Sequence, residues 1–282
     1  MKKHLIKGNL VFKDSKHQEE YISKGYTIIP LLDNHEVTKL ETVFYDNFNV
    51  DTLSSVYDTI AIAEVDKIQR INEMINNIIA PKTHAVIAKA QIIASIFILK
   101  KSSDDSFLGV HLDPSMTTED YNNIGVWIPL CQIDKSAGRM CFLPQSQYFI
   151  PPFNTSSIPC AYSDIESHLK PEMICLDMQA GDALFFNNSM LHCTEKNTSG
   201  RNRIAVVSKL IDENAPLATV YYNPNASEGK QVSLYQHYEN IFLNGKFRDS
   251  YPPESSNFIK HVPELPIKFD QHSYLQTAKT FS

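Results

Sequence analysis

From about residue 86 to residue 210 the chain is a succession of short β-branched or aromatic runs parted by turn residues. The runs are AVIAKAQIIASIFILKK, NIGVWIPLCQI, RMCFLP, EMICLDM, DALFFNNSMLHC and RIAVVSKLI, and SSDDS, DKSAG, MQAGD and KNTSG part them. Such runs read as strands, because branched and aromatic side chains suit a half-buried pleated surface. Several in succession point to a sandwich or jelly roll. Upstream, residues 16–24 predict a short helix closed by Gly25, and Tyr26 to Leu32 a β-like stretch. Asp33 or Asn34 can cap a helix reaching about Phe48. In 64–79, Val65, Ile68, Ile71, Met74, Ile75 and Ile78 recur at helical spacing, and Pro81 is expected to stop that helix. Residues 144–171 are rich in Pro and Ser and predict a long insert loop. Beyond Leu210 the chain turns polar and aromatic, with one helix expected around 231–243. The expectation is a mainly β domain spanning 1–282, with helical support over about 1–85, a β core over about 86–210 and a lid or extension over 211–282.

Composition removes several classes of function. Lys plus Arg is 26 against 32 for Asp plus Glu, a net charge of −6, which lacks the basic footprint of a nucleic-acid binder and argues against docking on an anionic membrane. The basic start has no apolar stretch of signal-peptide length, and the greasy run Ile92 to Leu99 is too short to span a bilayer. A soluble cytoplasmic protein acting on a small molecule is expected, with no nucleic-acid or membrane partner and its oligomeric state left open. No two of the nine glycines lie two apart, so GxGxxG is absent, and so are the P-loop, GxSxG and HExxH patterns. Five cysteines form no CxxC pair, and buried free thiols are expected rather than a disulfide framework.

Histidines carry more information. Three are followed two residues later by an acid: His17–Glu19, His111–Asp113 and His237–Glu239. Positions i and i+2 of a helix do not face each other, and the first and third pairs fall in helix-like segments. His111 follows the strand-like FLGV, where i and i+2 share a face, so His111 and Asp113 can serve one ion. The second half, GDALFFNNSMLHCTEKNTSGRNRIAVV, reads as strand, turn, strand. With the turn between Asn197 and Thr198, His192 lies opposite Arg203 on an antiparallel pair, and Thr194 and Arg201 share that face. An arginine on a largely buried hairpin calls for a partner. Two histidines and one carboxylate form the facial triad of non-haem Fe(II) oxygenases, with positions left open. A 2-oxo acid and dioxygen can fill those, and a planar, permanently charged arginine suits the far carboxylate of such an acid. Parity alone leaves Arg201 and Arg203 as candidates.

The motifs HLD at 111–113, NIGVWIPL at 123–130, AGRMCFLPQSQ at 137–147 and GDALFFNNSMLH at 181–192, with EEYISKGYTIIP upstream and Arg203 eleven past the histidine, resemble the phytanoyl-CoA dioxygenase-like family of Fe(II)/2-oxoglutarate oxygenases. The resemblance covers roughly 16–210. It implies a double-stranded β-helix (jelly-roll) core, iron on His111, Asp113 and His192, and 2-oxoglutarate anchored by Arg203 and Thr194. It sets Trp127 near the cosubstrate, a position that also reads as core packing. It implies a dioxygenase that consumes O2 and hydroxylates a small organic molecule, releasing succinate and CO2; desaturation, epoxidation and cyclisation share the same ligands. With Asp113 present, the iron is expected to lack a halide position. The chain departs from the family where Gln147 stands in place of a usual histidine, and where Arg139, a turn charge or a substrate contact, stands in place of an apolar residue. The competing reading is a metal-binding jelly roll that is not an oxygenase, such as an isomerase or sugar-binding module; a cation opposite the metal discriminates against it. Asp104, Asp105, Glu119 and Asp120 either favour a cationic substrate or form a solvated acidic loop. Nothing resembles a CoA-binding basic cluster.

Overall fold

The computed structural model describes residues 11–148, 153–155, 162–223 and 231–262. Helix α1 (Ser15–Lys24) ends at Gly25, whose φ of 84° is the left-handed conformation a helix C-cap needs and whose missing Cβ leaves room for Met190 and Gln147. Strand β1 (Tyr26–Pro30) leads to α2 (Asn34–Asn47), which begins with a full capping box between Asp33 and Glu36. A short β2 (Val56–Asp58) precedes α3 (Val65–Val86). Pro81 does not stop α3. The buried stripe Ile68, Ile71, Ile75 and Ile79 continues to Thr83, and packing of that face holds the helix through the proline.

The strands follow as β3 (Ala90–Lys100), β4 (Leu108–His111), β5 (Asn123–Pro129), β6 (Met140–Phe142), β7 (Ile174–Leu176), β8 (Asp182–Asn187), β9 (His192–Thr194) and β10 (Arg203–Asp212), with the one-turn helix α4 (Glu166–Leu169) between β6 and β7. They form two antiparallel sheets, β1-β8-β5-β10-β3-β2 and β4-β9-β6-β7, the jelly-roll arrangement expected. A third sheet, β11 (Ala218–Asn223), β12 (Gln231–Gln236) and β13 (Asn257–Val262), is appended. The helix expected around 231–243 is thus a strand over its first half: alternate residues Val232 and Leu234 bury against Val220 and Val262, a period of two. His237 and Glu239 follow that strand outside any helix. Of the insert expected at 144–171, residues 149–152 and 156–161 lie outside the described residues; 163–172 are short helical turns. No helix among the described residues is long and apolar enough to cross a membrane.

Period-two alternation along β10 sorts the interior. Ile204, Val206 and Leu210 face α1–α3 with Phe97, Leu99, Val126 and Phe185. Full burial of each such side chain contributes about 1.5–3 kcal/mol. The opposite face presents Arg203, Ala205, Val207 and Lys209; Ala205 and Val207 pack with Trp127, Leu184 and Phe186 on the side of the smaller sheet.

The cysteines depart from expectation. Cys141 and Cys175 form a disulfide, because β6 and β7 set them directly opposite one another. On its other side Cys141 faces Cys193 of β9, which stays a buried thiol. Cys131 is free and half-buried, and Cys160 lies outside the described residues.

Candidate metal and cosubstrate site

Strands β4 and β9 place His111 directly opposite His192, with ring centres 4.3 Å apart. Asp113 lies two residues past His111. Its Oδ1 is 4.0 Å from His111 Nε2 and its Oδ2 3.6 Å from His192 Nε2. The three candidate ligand atoms all fall within 4.8 Å of one another. Each ring is held in the same way: His111 Nδ1 donates to Gly109 O at 2.7 Å and His192 Nδ1 to Met190 O at 2.9 Å. With Nδ1 committed to a carbonyl, the lone pair of a neutral imidazole sits on Nε2, the nitrogen turned to the carboxylate. Burial, then His111, pushes His192 down to about 4, so it is neutral at pH 7. Phe142 and Phe186 pack against its ring, at 5.7 and 5.4 Å between centres. Burial alone would raise Asp113, but Lys209 and the two histidines outweigh it and hold the carboxyl well below the ordinary range. Two imidazole nitrogens and an ionised oxygen, preset and partly dry, fit a divalent transition metal.

Lys209, which the sequence reading did not single out, supplies the counter-charge. Its ammonium donates to Asp113 Oδ2 and, at 2.8 Å, to Asn188 Oδ1, and it lies 5.2 Å from the centre of the Phe186 ring. Asn188 in turn donates to Pro114 O at 3.0 Å, which ties the loop after Asp113 to the end of β8.

Arg203 is linked to the same interior, though not through a hairpin: it lies over Trp127, which clusters with Phe142 and Phe186, the two rings packed on His192. β9 pairs with β4 and β6 in the small sheet, whereas β10 pairs with β3 and β5 in the large one. The chain between them crosses from sheet to sheet. Asn197, fully buried, fastens that crossing by donating to Lys100 O at 2.9 Å and Arg201 O at 2.7 Å. His192 therefore faces Phe142 and His111 across its strand, and Arg203 faces Lys100. The parity argument fails on register but not on direction, since His192, Thr194 and Arg203 are all buried side chains. Arg201 is exposed at the turn.

Around Arg203 the electrostatics are unbalanced. Its Nη1 donates to Gly138 O at 2.5 Å, its guanidinium lies 5.2 Å from the centre of the Trp127 ring, and its Nε has no partner among the described residues. Lys100, missed in the sequence, is 0% exposed and donates to Thr194 Oγ1 at 2.5 Å and Glu195 O at 2.7 Å. Burial, then Arg203, pushes this lysine down to about 6, and burial holds Arg203 down to about 10. Among the described residues neither cation forms an ion pair with a carboxylate. A buried arginine and a buried lysine beside a hydroxyl, with one guanidinium nitrogen unpartnered, form a basic cluster that can receive an anion.

Other singled-out residues are otherwise engaged. Arg139 forks onto Glu195, at 2.8 and 3.2 Å, and reaches Asp177. Glu119 pairs with Lys260, and Asp104 with Lys196 at 3.2 Å. In Pro144–Gln147, Ser146 accepts from Leu191 N at 2.9 Å and fixes the approach to His192, while Gln145 takes a φ of 62°. Among residues of the other His-x-acid pairs, His17 bonds Thr27 and His237 bonds Ser256, each on its own and away from the triad.

The sequence pattern of the phytanoyl-CoA dioxygenase (PhyH) family matches residues 33–205, a span holding His111, Asp113, Thr194 and Arg203. The chain belongs to the PhyH family. No curated protein matches the chain. Among solved structures, this PhyH member is similar to the non-heme alpha ketoglutarate dependent carbocyclase SnoK from nogalamycin biosynthesis, at 18% identity and a TM-score of 0.56 over 72% of this chain and 86% of that one. It is also similar to the epimerase SnoN in complex with Fe3+, alpha ketoglutarate and nogalamycin RO, at 16% identity and a TM-score of 0.51 over 72% and 85% of the two chains. At these identities the likeness establishes that this PhyH chain shares their fold.

Proposed function

We propose that this chain is an Fe(II)- and 2-oxoglutarate-dependent dioxygenase that hydroxylates an unactivated C–H of a small organic molecule, with release of succinate and CO2. The observation that carries the reading is a His-Asp-His cluster together with a buried arginine and lysine that have no carboxylate of their own among the described residues. A metal-binding jelly roll without oxygenase chemistry has no use for the second feature.

In this reading His111, Asp113 and His192 hold the iron, which when bound supplies the activation of dioxygen and the oxidative decarboxylation of the keto acid. The carbonyls of Gly109 and Met190 fix which nitrogen each histidine offers. Lys209 holds one Asp113 oxygen and so orients the carboxylate. Arg203 and Thr194 receive the distal carboxylate of 2-oxoglutarate, and Trp127 floors that end of the cavity beneath the guanidinium. Phe142 and Phe186 exclude water from the side of His192. The third sheet serves as the lid: Ala218 N bonds Met116 O at 3.0 Å and Thr117 Oγ1 donates to Pro216 O at 2.8 Å, so it is anchored on the segment just past Asp113. We read all of 1–282 as one oxygenase domain.

The test is anaerobic addition of Fe(II) and then 2-oxoglutarate. The weak visible charge-transfer absorption of a chelated keto acid is expected, and its absence rejects the proposal. Succinate release across a panel of small-molecule substrates then separates hydroxylation from desaturation, epoxidation or cyclisation.

A further inference from the structure

The third sheet has two unlike faces. Ala218, Val220, Val232 and Leu234 cluster with Val262 on one of them. Period two then turns Thr219 and Tyr221 of β11, and Ser233 and Tyr235 of β12, to the other. Strand β13 joins that second face through an irregularity: the register shift between Leu234 and Tyr235 sets Phe258 opposite Tyr235 and His261 opposite Ser233. Phe258 and His261 thus stand on one face although an odd number of residues apart, with ring centres 4.8 Å from one another.

Tyr221, Ser233, Tyr235, Phe258 and His261, with Tyr251 from the segment before β13, line a cavity of about 340 Å³. None of the residues lining it belongs to the metal and cosubstrate site. Its size suits a small molecule. Its rings stand nearly at right angles: Tyr221 and Tyr235 at 85° with centres 5.8 Å apart, Tyr235 and Phe258 at 71° and 5.6 Å. Rings so placed turn their electron-rich faces around a corner. Phe258 and Tyr251 are 51% and 68% exposed, and large apolar groups gathered in one exposed place mark a binding surface.

The floor of the cavity is unsatisfied. Tyr221 is 3% exposed, and its hydroxyl has no partner among the described residues. The same holds for Thr219 Oγ1 and for Nε2 of His237, whose ring centre lies 6.0 Å from that of Tyr221. Orphaned polar atoms on one buried face cost stability that a bound polar group restores. Burial, then Asp249, pushes the Tyr221 phenol up, so it keeps its proton and can donate it in a hydrogen bond. Asp249 is therefore within electrostatic reach of the cavity. It forms no ion pair among the described residues, whereas the neighbouring cations are engaged, Arg248 with Asp58 at 3.1 Å and Lys260 with Glu119.

We propose that this face of the third sheet is a second binding site, for a small quaternary ammonium alcohol of the choline type: the rings of Tyr221, Tyr235 and Phe258 take the methylated cation, Asp249 balances its charge, and the Tyr221 hydroxyl bonds its oxygen. Ring quadrupoles attract a cation laid against their faces, and a methylated ammonium has no N–H whose hydration it must give up to lie there. The inference does not rest on the dioxygenase reading, because the two sites share no residue.

The experiment is calorimetric titration of the full chain with choline and, separately, with neohexyl alcohol, in which carbon replaces the nitrogen and the charge is gone. Choline is expected to bind, and the neutral alcohol to bind at least about tenfold more weakly, a gap of roughly 1.4 kcal/mol. Phe258→Leu and Tyr235→Leu keep apolar bulk but remove a ring face. Each should weaken choline by about five- to tenfold and leave the neutral alcohol within about twofold, on the scale of a cation–ring contact. Asp249→Asn, at an exposed position, should weaken choline about threefold, and less at high salt. It serves together with Phe258→Leu if Tyr235→Leu does not fold. Equal binding of the two alcohols overturns the inference and leaves an apolar slot. So does a lack of choline binding by the unmodified protein; a response to methyl glucoside in its place would make the face a stacking platform for sugars. Choline binding that the ring variants leave unchanged overturns it as well, since the ligand then sits elsewhere.

Discussion

Lys209 and Arg203 lie on the same face of β10, yet Lys209 meets Asp113 and Asn188, whereas Arg203 meets another basic side chain, Lys100. At the first end the charges close among the chain's own residues. At the second they do not, and the chain carries the desolvation of two basic groups with no anion to offset it. A surplus of this kind disfavours the folded state unless a ligand completes it. The matched end keeps an anion in place, and in the proposed reading the unmatched end receives one.

Breaking the matched end should have the largest effect. Asp113→Gly removes a candidate ligand and strands Lys209, and loss of metal binding and of turnover is expected. Stability should fall by about 3 kcal/mol, the order found when one partner of a buried pair is deleted. Adding Lys209→Met should recover most of that stability and none of the activity, as read by denaturant titration and succinate release. If the double variant is no more stable than the single one, Lys209 was not paired as described. His192→Ala should likewise abolish iron-dependent succinate formation with little effect on the fold.

At the unmatched end, Arg203→Ala should raise the 2-oxoglutarate requirement by about two to three orders of magnitude, as for truncating one partner of a buried charge pair at ~2–5 kcal/mol. Arg201→Ala, at the exposed turn, should change it less than about tenfold. Equal defects would mean that the crossing between sheets delivers the wrong arginine to the cavity.

A smaller effect appears in pH dependence without ligand. Lys100 is held to about 6 in the folded protein by burial and Arg203, against which Cys193 and Glu195 pull upward, and its ordinary value is 10.5. Between those values the unfolded chain binds a proton that the folded chain does not. Stability therefore rises with pH above about 6, with a slope of at most about 1.4 kcal/mol per pH unit from this group. Lys100→Met should flatten that slope, measured by unfolding at pH 6.5 and 8. An unaltered slope would show that the lysine keeps its proton and that the second end is balanced after all.

The arrangement of the site was legible where period two governs. His111 and Asp113 share a strand-like parity, and Arg203 falls in step with Ala205 and Val207. Gly25 and Asp33 announced their caps because each does a job few residues can do. The 192–203 pairing was misread because a short polar connection between two β runs looks the same whether it returns within a sheet or crosses to its partner. Lys100 was overlooked because the terminal KK of an apolar run reads as solvated charge. Its parity with Ile96 and Ile98, which flank the inner cluster, carried the signal. Lys209 stood in step with Arg203 in the same way. Pro81 was given too much weight, since local preference yields to a buried face that continues past it.

The span of β10 between its two cations has a consequence for how such a cavity can change over evolutionary time. Six residues of strand advance about 20 Å, and the register shift against β3 falls just past this stretch, between Lys209 and Leu210. A one-residue insertion or deletion within it would turn every residue on one side of the change to the opposite face, one of the two basic residues among them. The spacing between the two basic residues is therefore quantised in pairs of residues, and a lineage that came to need a different reach would arrive there by exchanging side chains at the strand's ends rather than by resizing it.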